Sequence, residues 1–333
     1  MLAVAWWDVF TELPPTQIER LPSGSRFLLE YKMVEQDKPF RTIDEQVALL
    51  KSRNLITDER TPGILLREGY YQIVNGYKEP FLNQSAADGV DRFSDGTAFY
   101  DLYSLFRFDR DLREMTFRYL LRVEALVRTT CAYTFAEAHR GTEDYLDQNS
   151  FATEPEYRAY GLKHYRDDMQ KLQEIMYGKA RKSDREFIKH YRERHGGVPI
   201  WVLVGDMTFG NMEHFFNLMK PDEQALVCKR ISEVTGNGSY FSTKEARIGL
   251  NLIVKARNMC AHDERMYCAR LGKRQKASYV KLLGYISRYL PEKEFLSMVK
   301  DLTDAVNRYS GKSDLVGHVL LQMGFEPQDV IEH

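Results

Sequence analysis

The chain has no run approaching the roughly 18 uninterrupted apolar residues of a membrane-spanning helix, so no transmembrane segment is expected. It also lacks an excess of either charge: 47 Lys and Arg stand against 48 Asp and Glu, a formal net charge of −1. No global field draws in a polyanion, so any contact with nucleic acid must be local. Cysteine is scarce. The four cysteines (Cys131, Cys228, Cys260, Cys268) include no Cys-x-x-Cys pair, which argues against a disulfide framework and for a reducing, cytoplasmic setting. Cys260, His262 and Cys268 match no standard zinc spacing and lack a fourth ligand, so neither a metal nor a cofactor is expected. The opening residues, Met1-Leu2-Ala3-Val4-Ala5-Trp6-Trp7-Asp8, lack a basic n-region and are interrupted by Asp8, unlike a secretory leader. Strand signals are scarce as well, which leaves helices.

Helical signals are plentiful. A chain of 333 residues with 43% hydrophobic content buries a sizeable core, and length alone suggests about two domains. Thr42 and Glu45 have capping-box spacing, and Ile43, Val47 and Leu50 give the following helix an apolar face. A turn is expected at Pro62-Gly63, then a segment holding Tyr70, Tyr71 and Tyr77. Those tyrosines suit either base stacking or a packed corner. Residues 83–96 are polar and read as a loop. Residues 97–140 contain neither Gly nor Pro and predict one long helix ending at Gly141 as its C′ residue. Leu105, Leu112, Tyr119, Val123, Leu126 and Thr130 mark its buried face. Glu124 and Arg128 lie one turn apart beside that face, in the order that favours an ion pair. Either they pair on the helix flank, or Glu124 crosses the core to hold an arginine described below.

Residues 156–195 are the most basic part of the chain. Lys179, Arg181, Lys182, Arg185, Lys189, His190, Arg192, Arg194 and His195 cluster there, with only Asp184, Glu186 and Glu193 between them. Such a patch suits phosphates, with Lys179, Arg181, Lys182, Arg185, Lys189 and Arg192 as candidate RNA contacts. It suits a solvated helix face equally. Gly196-Gly197 and Pro199 end this unit as a hinge, after which Trp201, Phe209, Phe215 and Phe216 read as core. Residues 276–309 form one or two further helices, and the tail from Gly311 a last short one.

The most informative stretch is Arg257-Asn258-Met259-Cys260-Ala261-His262. Ser242 and Glu245 form a capping box that starts the helix leading into it. At about 100° per residue, Ala246, Leu250, Ile253, Val254, Cys260 and Ala261 share one apolar stripe, with Arg257 in its middle. An arginine there must pair with a buried carboxylate or face a site that needs positive charge. Histidine, the residue type at 262, trades protons near neutrality without a large shift. Arginine with histidine and no metal ligands nearby is a toolkit for phosphodiester cleavage; a structural arginine and a surface histidine are the plainer reading. Spacing does not choose the site, because Arg158 to His164 and Arg185 to His190 are similar. Those two lie in strongly charged stretches; only the third follows an apolar helix.

Several blocks, in order, resemble the abortive-infection (Abi) family of bacterial anti-phage proteins, the AbiD/AbiF-like group within the HEPN superfamily. They are Lys38-Pro39-Phe40-Arg41-Thr42-Ile43-Asp44-Glu45-Gln46, Gly69-Tyr70-Tyr71 with Gly76-Tyr77, and Phe108-Asp109-Arg110-Asp111-Leu112 before Arg122-Val123-Glu124. Pro199-Ile200-Trp201 with Phe209-Gly210, the 257–262 hexapeptide and Met323-Gly324-Phe325 complete the series. The resemblance implies an all-α fold, a HEPN-like helical bundle with additional N-terminal and C-terminal helices. It places a family domain at 38–327 with a HEPN core near 97–310, an N-terminal extension at 1–37 and a tail at 328–333. It also implies a homodimer and a metal-independent ribonuclease site of the Arg-x4-His type, a motif that RNA-targeting CRISPR effector nucleases share. Downstream, Arg265 matches the family pattern, whereas Met266-Tyr267 stand where a Trp-Asn pair is usual.

In that chemistry a 2′-hydroxyl attacks the adjacent phosphorus. His262 suits proton transfer, and Arg257 suits the charge that builds on the phosphate. On an ideal helix five residues rotate the chain by about 140°, so Arg257 and His262 do not share a face. Asn258 does share one with His262 and is expected to orient its imidazole. Either the helix ends near Cys260, or a two-fold dimer assembles the site and brings two histidines together. The reading is an RNA endonuclease acting as an abortive-infection toxin, with Arg257, His262 and Asn258 catalytic and Glu124, Arg128 and Arg265 supporting. The alternative is a non-catalytic RNA-binding or regulatory protein. A small non-coding RNA or an antitoxin would be a further partner in either case.

Overall fold

The absence of helix breakers between residues 97 and 140 yields one 40-residue helix, Phe99–Ala138, about 60 Å long at roughly 1.5 Å per residue, around which the other helices assemble. The structure is a computed structural model that describes residues 40–83, 91–236, 241–309 and 313–326. The N-terminal extension expected at 1–37 and the tail at 328–333 lie outside the described residues. Met1–Thr42 and Ile43–His333 are separate units, and every element below belongs to the second.

In chain order the helices are α1 (Ile43–Ser52), α2 (Thr61–Glu68), α3 (Phe99–Ala138), α4 (Glu154–Ala159) and α5 (Tyr165–Lys182). There follow α6 (Glu186–Arg194), α7 (Ile200–Leu203), α8 (Phe209–Leu218), α9 (Pro221–Thr235) and α10 (Thr243–Ala261). The last are α11 (Tyr279–Ile286), α12 (Glu292–Tyr309) and α13 (Ser313–Met323). Among the described residues the only β pairing is in isolated bridges, such as Ile56 with Ala98, so the fold is all-α as the sequence predicts. No helix among them is long and apolar enough to cross a membrane.

α3 packs against α12, α9, α10, α7 and α8. Of its expected buried face, Leu105, Leu112, Tyr119, Val123 and Thr130 are buried, and Leu126 is half-buried. Its end differs from expectation. The helix stops at Ala138, before Gly141, because His139 bonds Glu223 of α9 (2.7 Å) and lies against the Phe135 ring. Pro62-Gly63, expected as a turn, instead lies in the first turn of α2, where a missing N–H has no helical partner to lose. A π-helical turn, Tyr71–Asn75, follows it, with Ile73 and Val74 buried.

α10 starts as predicted. Ser242 Oγ accepts from the Glu245 N–H (3.2 Å), and Glu245 Oε2 accepts from the Ser242 N–H (2.8 Å). Ala246, Leu250, Ile253 and Val254 are buried against the core. Cys260 is only half-buried and Ala261 is exposed, so the apolar stripe is shorter than expected and the last turn projects out of the core. The closing Met323-Gly324-Phe325 block caps α13. Gly324 adopts φ +93°, and the Phe325 N–H returns to the Leu320 carbonyl (3.1 Å).

Candidate functional site

Arg257 lies in the last turns of α10, facing α3. Its Nε donates to Glu124 Oε2 (3.3 Å), and its Cζ stands 5.8 Å from the Phe117 ring centre. Glu124 is buried, and its other oxygen takes Arg128 Nη2 from one turn along α3. Arg128 Nη1 in turn donates to the Val204 carbonyl (2.8 Å), in the 3-10 turn Val204–Asp206. Both readings of Glu124 therefore hold at once: it pairs on its own helix and across to α10. The Arg257 side chain is 30% exposed. Its Nη2 has no partner among the described residues, so an edge of the guanidinium is open to a ligand.

His262 is the cap of α10. Its N–H reaches the Asn258 and Met259 carbonyls (3.0 and 3.3 Å), and Asp263 then turns the chain with φ +56°. The helix thus ends at Ala261, one residue beyond Cys260, the first of the two arrangements expected. The imidazole is exposed and makes no hydrogen bond or ion pair among the described residues. Asn258 does not orient it. The Asn258 amide oxygen lies 3.5 Å from Arg257 Nη1 instead, because His262, with φ −111°, no longer belongs to the helix whose face they were expected to share.

The segment after His262 is anchored by Asp109 of α3, which the sequence marks only as part of the Phe108–Leu112 block. Asp109 is fully buried and accepts from Tyr77 Oη (2.8 Å), Arg113 Nη1 (2.8 Å) and the N–H groups of Met266 and Tyr267 (3.1 and 2.8 Å). Arg113 Nη2 reaches on to Asp263 (3.3 Å). Burial pushes the Asp109 carboxyl up; Arg113, Tyr77 and the two N–H groups act against that rise. Burial also pushes the Tyr77 hydroxyl well up, keeping it a donor. The Tyr77 and Tyr267 rings stack at 6.1 Å. Arg265 fastens the same segment from outside by donating to the Gly76 carbonyl (2.7 Å). Asp109, Tyr77 and Arg265 all fall in stretches that carry the family resemblance, and Asp109 and Arg113 are one turn apart on an apolar face, but neither signal names the bonds they make.

A cleft of about 630 Å³ opens beside this network. One wall carries Tyr71, Gln72 and Asn75 of the π-helical turn; the other carries Met259, Asp263, Glu264 and Arg265, which flank His262 in sequence. Burial pushes the nearby Cys260 thiol up to about 12 and raises Cys268, which favours the neutral thiol in both.

The basic segment is less free than its composition suggests. Arg181 makes two 2.6 Å bonds to Glu143, while Lys179 and Arg185 both reach Asp206 (3.3 and 3.4 Å). Arg192 bonds the Ala180 and Ser183 carbonyls (both 3.3 Å), tying α6 to the end of α5. Lys189 stands 3.9 Å from Asp184, and Lys182 is exposed with no partner among the described residues. Lys182, Arg185 and Lys189 are the three of these six that face solvent. The expected hinge at Gly196-Gly197 is pinned: Val198 is buried, donating to Glu143 (3.1 Å) and accepting from Tyr145 Oη (2.7 Å). Phe209, Phe215 and Phe216 are core as expected, but Trp201 is 59% exposed, because short α7 lies at the surface beside α3.

Compared with known families, residues 63–268 match the model of the Abi-like protein family. That span includes both walls of the cleft, Glu124, the basic segment and the hexapeptide. No curated protein and no solved structure matches the chain.

Proposed function

The chain belongs to the Abi-like protein family, and on that premise we propose that it is a cytoplasmic endoribonuclease of the HEPN type that acts in abortive infection. The observation that carries this reading is the pairing of Arg257 with buried Glu124 (3.3 Å), which leaves a guanidinium edge open just before an exposed His262 at the end of the same helix. In the proposed step a ribose 2′-oxygen attacks the adjacent phosphorus and the bond from phosphorus to the 5′-oxygen breaks. The products are a 2′,3′-cyclic phosphate and a 5′-hydroxyl. One imidazole takes the 2′ proton, and a second protonated group delivers one to the leaving oxygen. A homodimer with its two hexapeptides facing each other supplies that second group as the partner's histidine. Arg257 binds the non-bridging oxygens as charge builds on them. The scheme calls for no metal ion.

Phosphate contacts outside the reacting centre fall to Lys182, Arg185 and Lys189, since Arg181 and Arg192 hold the local structure together. Changing those three to Glu is expected to weaken binding to all RNA sequences alike. The log–log salt dependence should flatten by roughly one unit for each phosphate no longer bound. Filter binding between low and moderate salt measures both; an unchanged affinity and slope would return the segment to the role of a solvated face.

The exposed imidazole favours one competing reading, because nothing among the described residues fixes its tautomer. In that reading the protein binds RNA, such as a small non-coding RNA, without cutting it. Expression of the wild type and of His262→Ala separates the two. The enzyme reading expects growth arrest and fragmented cellular RNA with the wild type alone; equal effects of both proteins would favour binding without catalysis. An antitoxin or non-coding RNA that silences the wild type would fit the toxin reading.

A further inference from the structure

We infer that the cleft beside the hexapeptide is a base-binding subsite, which stacks one nucleobase of the RNA strand on Tyr71 and reads its edge with Gln72 and Asn75. This rests on the reading of the chain as a protein that engages RNA. Three tyrosines enter this region of the sequence, and the structure separates their roles. Tyr77 is buried on Asp109, and Tyr70 is half-buried within reach of Arg53 (3.4 Å). Tyr71 is 72% exposed on the cleft wall. An aromatic ring left in solvent beside a polar cleft makes little hydrophobic contribution to folding, and a stacked base would cover it.

Gln72 and Asn75 are exposed beside it, with no hydrogen-bond partner among the described residues. Each amide offers both donors and an acceptor, the set needed for a base edge. All three side chains stand on a π-helical turn, a rare geometry that recurs at functional sites. Buried Ile73 and Val74 root the turn in the core, and Arg265 ties its Gly76 carbonyl to the segment that follows His262. The platform is therefore held in register with the hexapeptide. At about 630 Å³ the cleft lies within the usual range of roughly 300–1,000 Å³ for ligand sites.

Charge decides which kind of nucleotide fits. Arg110 is paired with Glu68 (2.6 Å), Arg67 with Glu68 (2.9 Å) and Arg113 with Asp109 (2.8 Å). Asp263 also pairs with Arg113 (3.3 Å), and the remaining charged groups of the lining are Glu264 and Arg265. Four arginines thus stand against Glu68, Asp109, Asp263 and Glu264, so a free polyphosphate would lose its hydration with no net positive charge to offset it. A base from a longer strand, with its phosphates held at Arg257 and outside the cleft, meets no such penalty.

The test uses the full chain carrying His262→Ala, so that RNA stays intact, with labelled oligoribonucleotides of mixed sequence. Adding Tyr71→Ala is expected to weaken binding by about 5- to 150-fold, from roughly 1–3 kcal/mol per stacked base, while Tyr71→Phe retains the parent affinity. With His262 intact, Gln72→Ala with Asn75→Ala should change which sequence is cut more than how much RNA is bound. Unchanged affinity for Tyr71→Ala together with an unchanged cleavage pattern for the amide variant would overturn the subsite and leave the ribonuclease reading standing. A His262→Ala parent that does not bind RNA, together with a wild type that does not cut it, would overturn both. Free AMP, GMP, CMP or UMP binding as tightly as the oligonucleotide would also overturn the proposal, by assigning the cleft to a mononucleotide. Thermal midpoints of the variants should match the parent, since all three side chains are exposed.

Discussion

His262→Ala is expected to slow RNA cleavage by about a hundred- to ten-thousandfold, the range for loss of a general acid or base. The fold should survive, because the imidazole is exposed and has no partner among the described residues. The cap bond belongs to the backbone N–H (3.0 Å to the Asn258 carbonyl), which alanine keeps. RNA affinity should change little, since one imidazole holds at most one phosphate. The contrast with Arg257→Ala is informative. That change should also remove activity, but it leaves buried Glu124 with Arg128 alone, so a loss of stability should accompany it. Single-turnover cleavage together with a denaturation curve for each variant reads both effects. A folded His262→Ala protein that cuts at the wild-type rate would remove histidine from the mechanism.

Asp109→Ala is expected to be the most destabilising single change near the site, by about 3–5 kcal/mol. The aspartate is fully buried, and its removal strands the Arg113 guanidinium, itself 4% exposed, in the core. It also leaves the Tyr77 hydroxyl and the Met266 and Tyr267 N–H groups without their acceptor. Water has little access to make up the loss. Since Met266 and Tyr267 follow the hexapeptide, the segment that positions His262 should loosen as well, with faster amide exchange there than elsewhere. Urea unfolding measures the first effect and hydrogen exchange the second. A loss under about 1 kcal/mol with unchanged exchange would mean that the packing of Tyr77 on Tyr267, and not Asp109, sets this segment.

These two residues also mark how far the sequence could be read. α10 and its start were legible because a capping box is local, and the Glu124–Arg257 pair because an arginine on an apolar stripe needs a nearby counter-charge. Asp109 was not, because two of its donors are backbone N–H groups 157 and 158 residues away, which no side-chain pattern encodes. The pairing within the basic segment was hidden for a similar reason. The carboxylates that neutralise it, Glu143 and Asp206, lie outside the stretch whose composition drew attention. Helix ends were the other failure: Gly141 was a reasonable stop for α3, but a tertiary contact, His139 to Glu223, decides the earlier one. Trp201 read as core on hydrophobicity alone, although a short surface helix leaves it exposed.

The most direct test of the central claim, cleavage of RNA by its own 2′-hydroxyl, is the chemistry of the cut ends. Purified protein is incubated with an oligoribonucleotide, and in parallel with the same strand carrying a single 2′-deoxy sugar at the mapped cut. The account predicts 2′,3′-cyclic phosphate and 5′-hydroxyl ends from the first and no cut at that position in the second. Ends bearing a 3′-hydroxyl and a 5′-phosphate, or equal cutting of the deoxy strand, would contradict it.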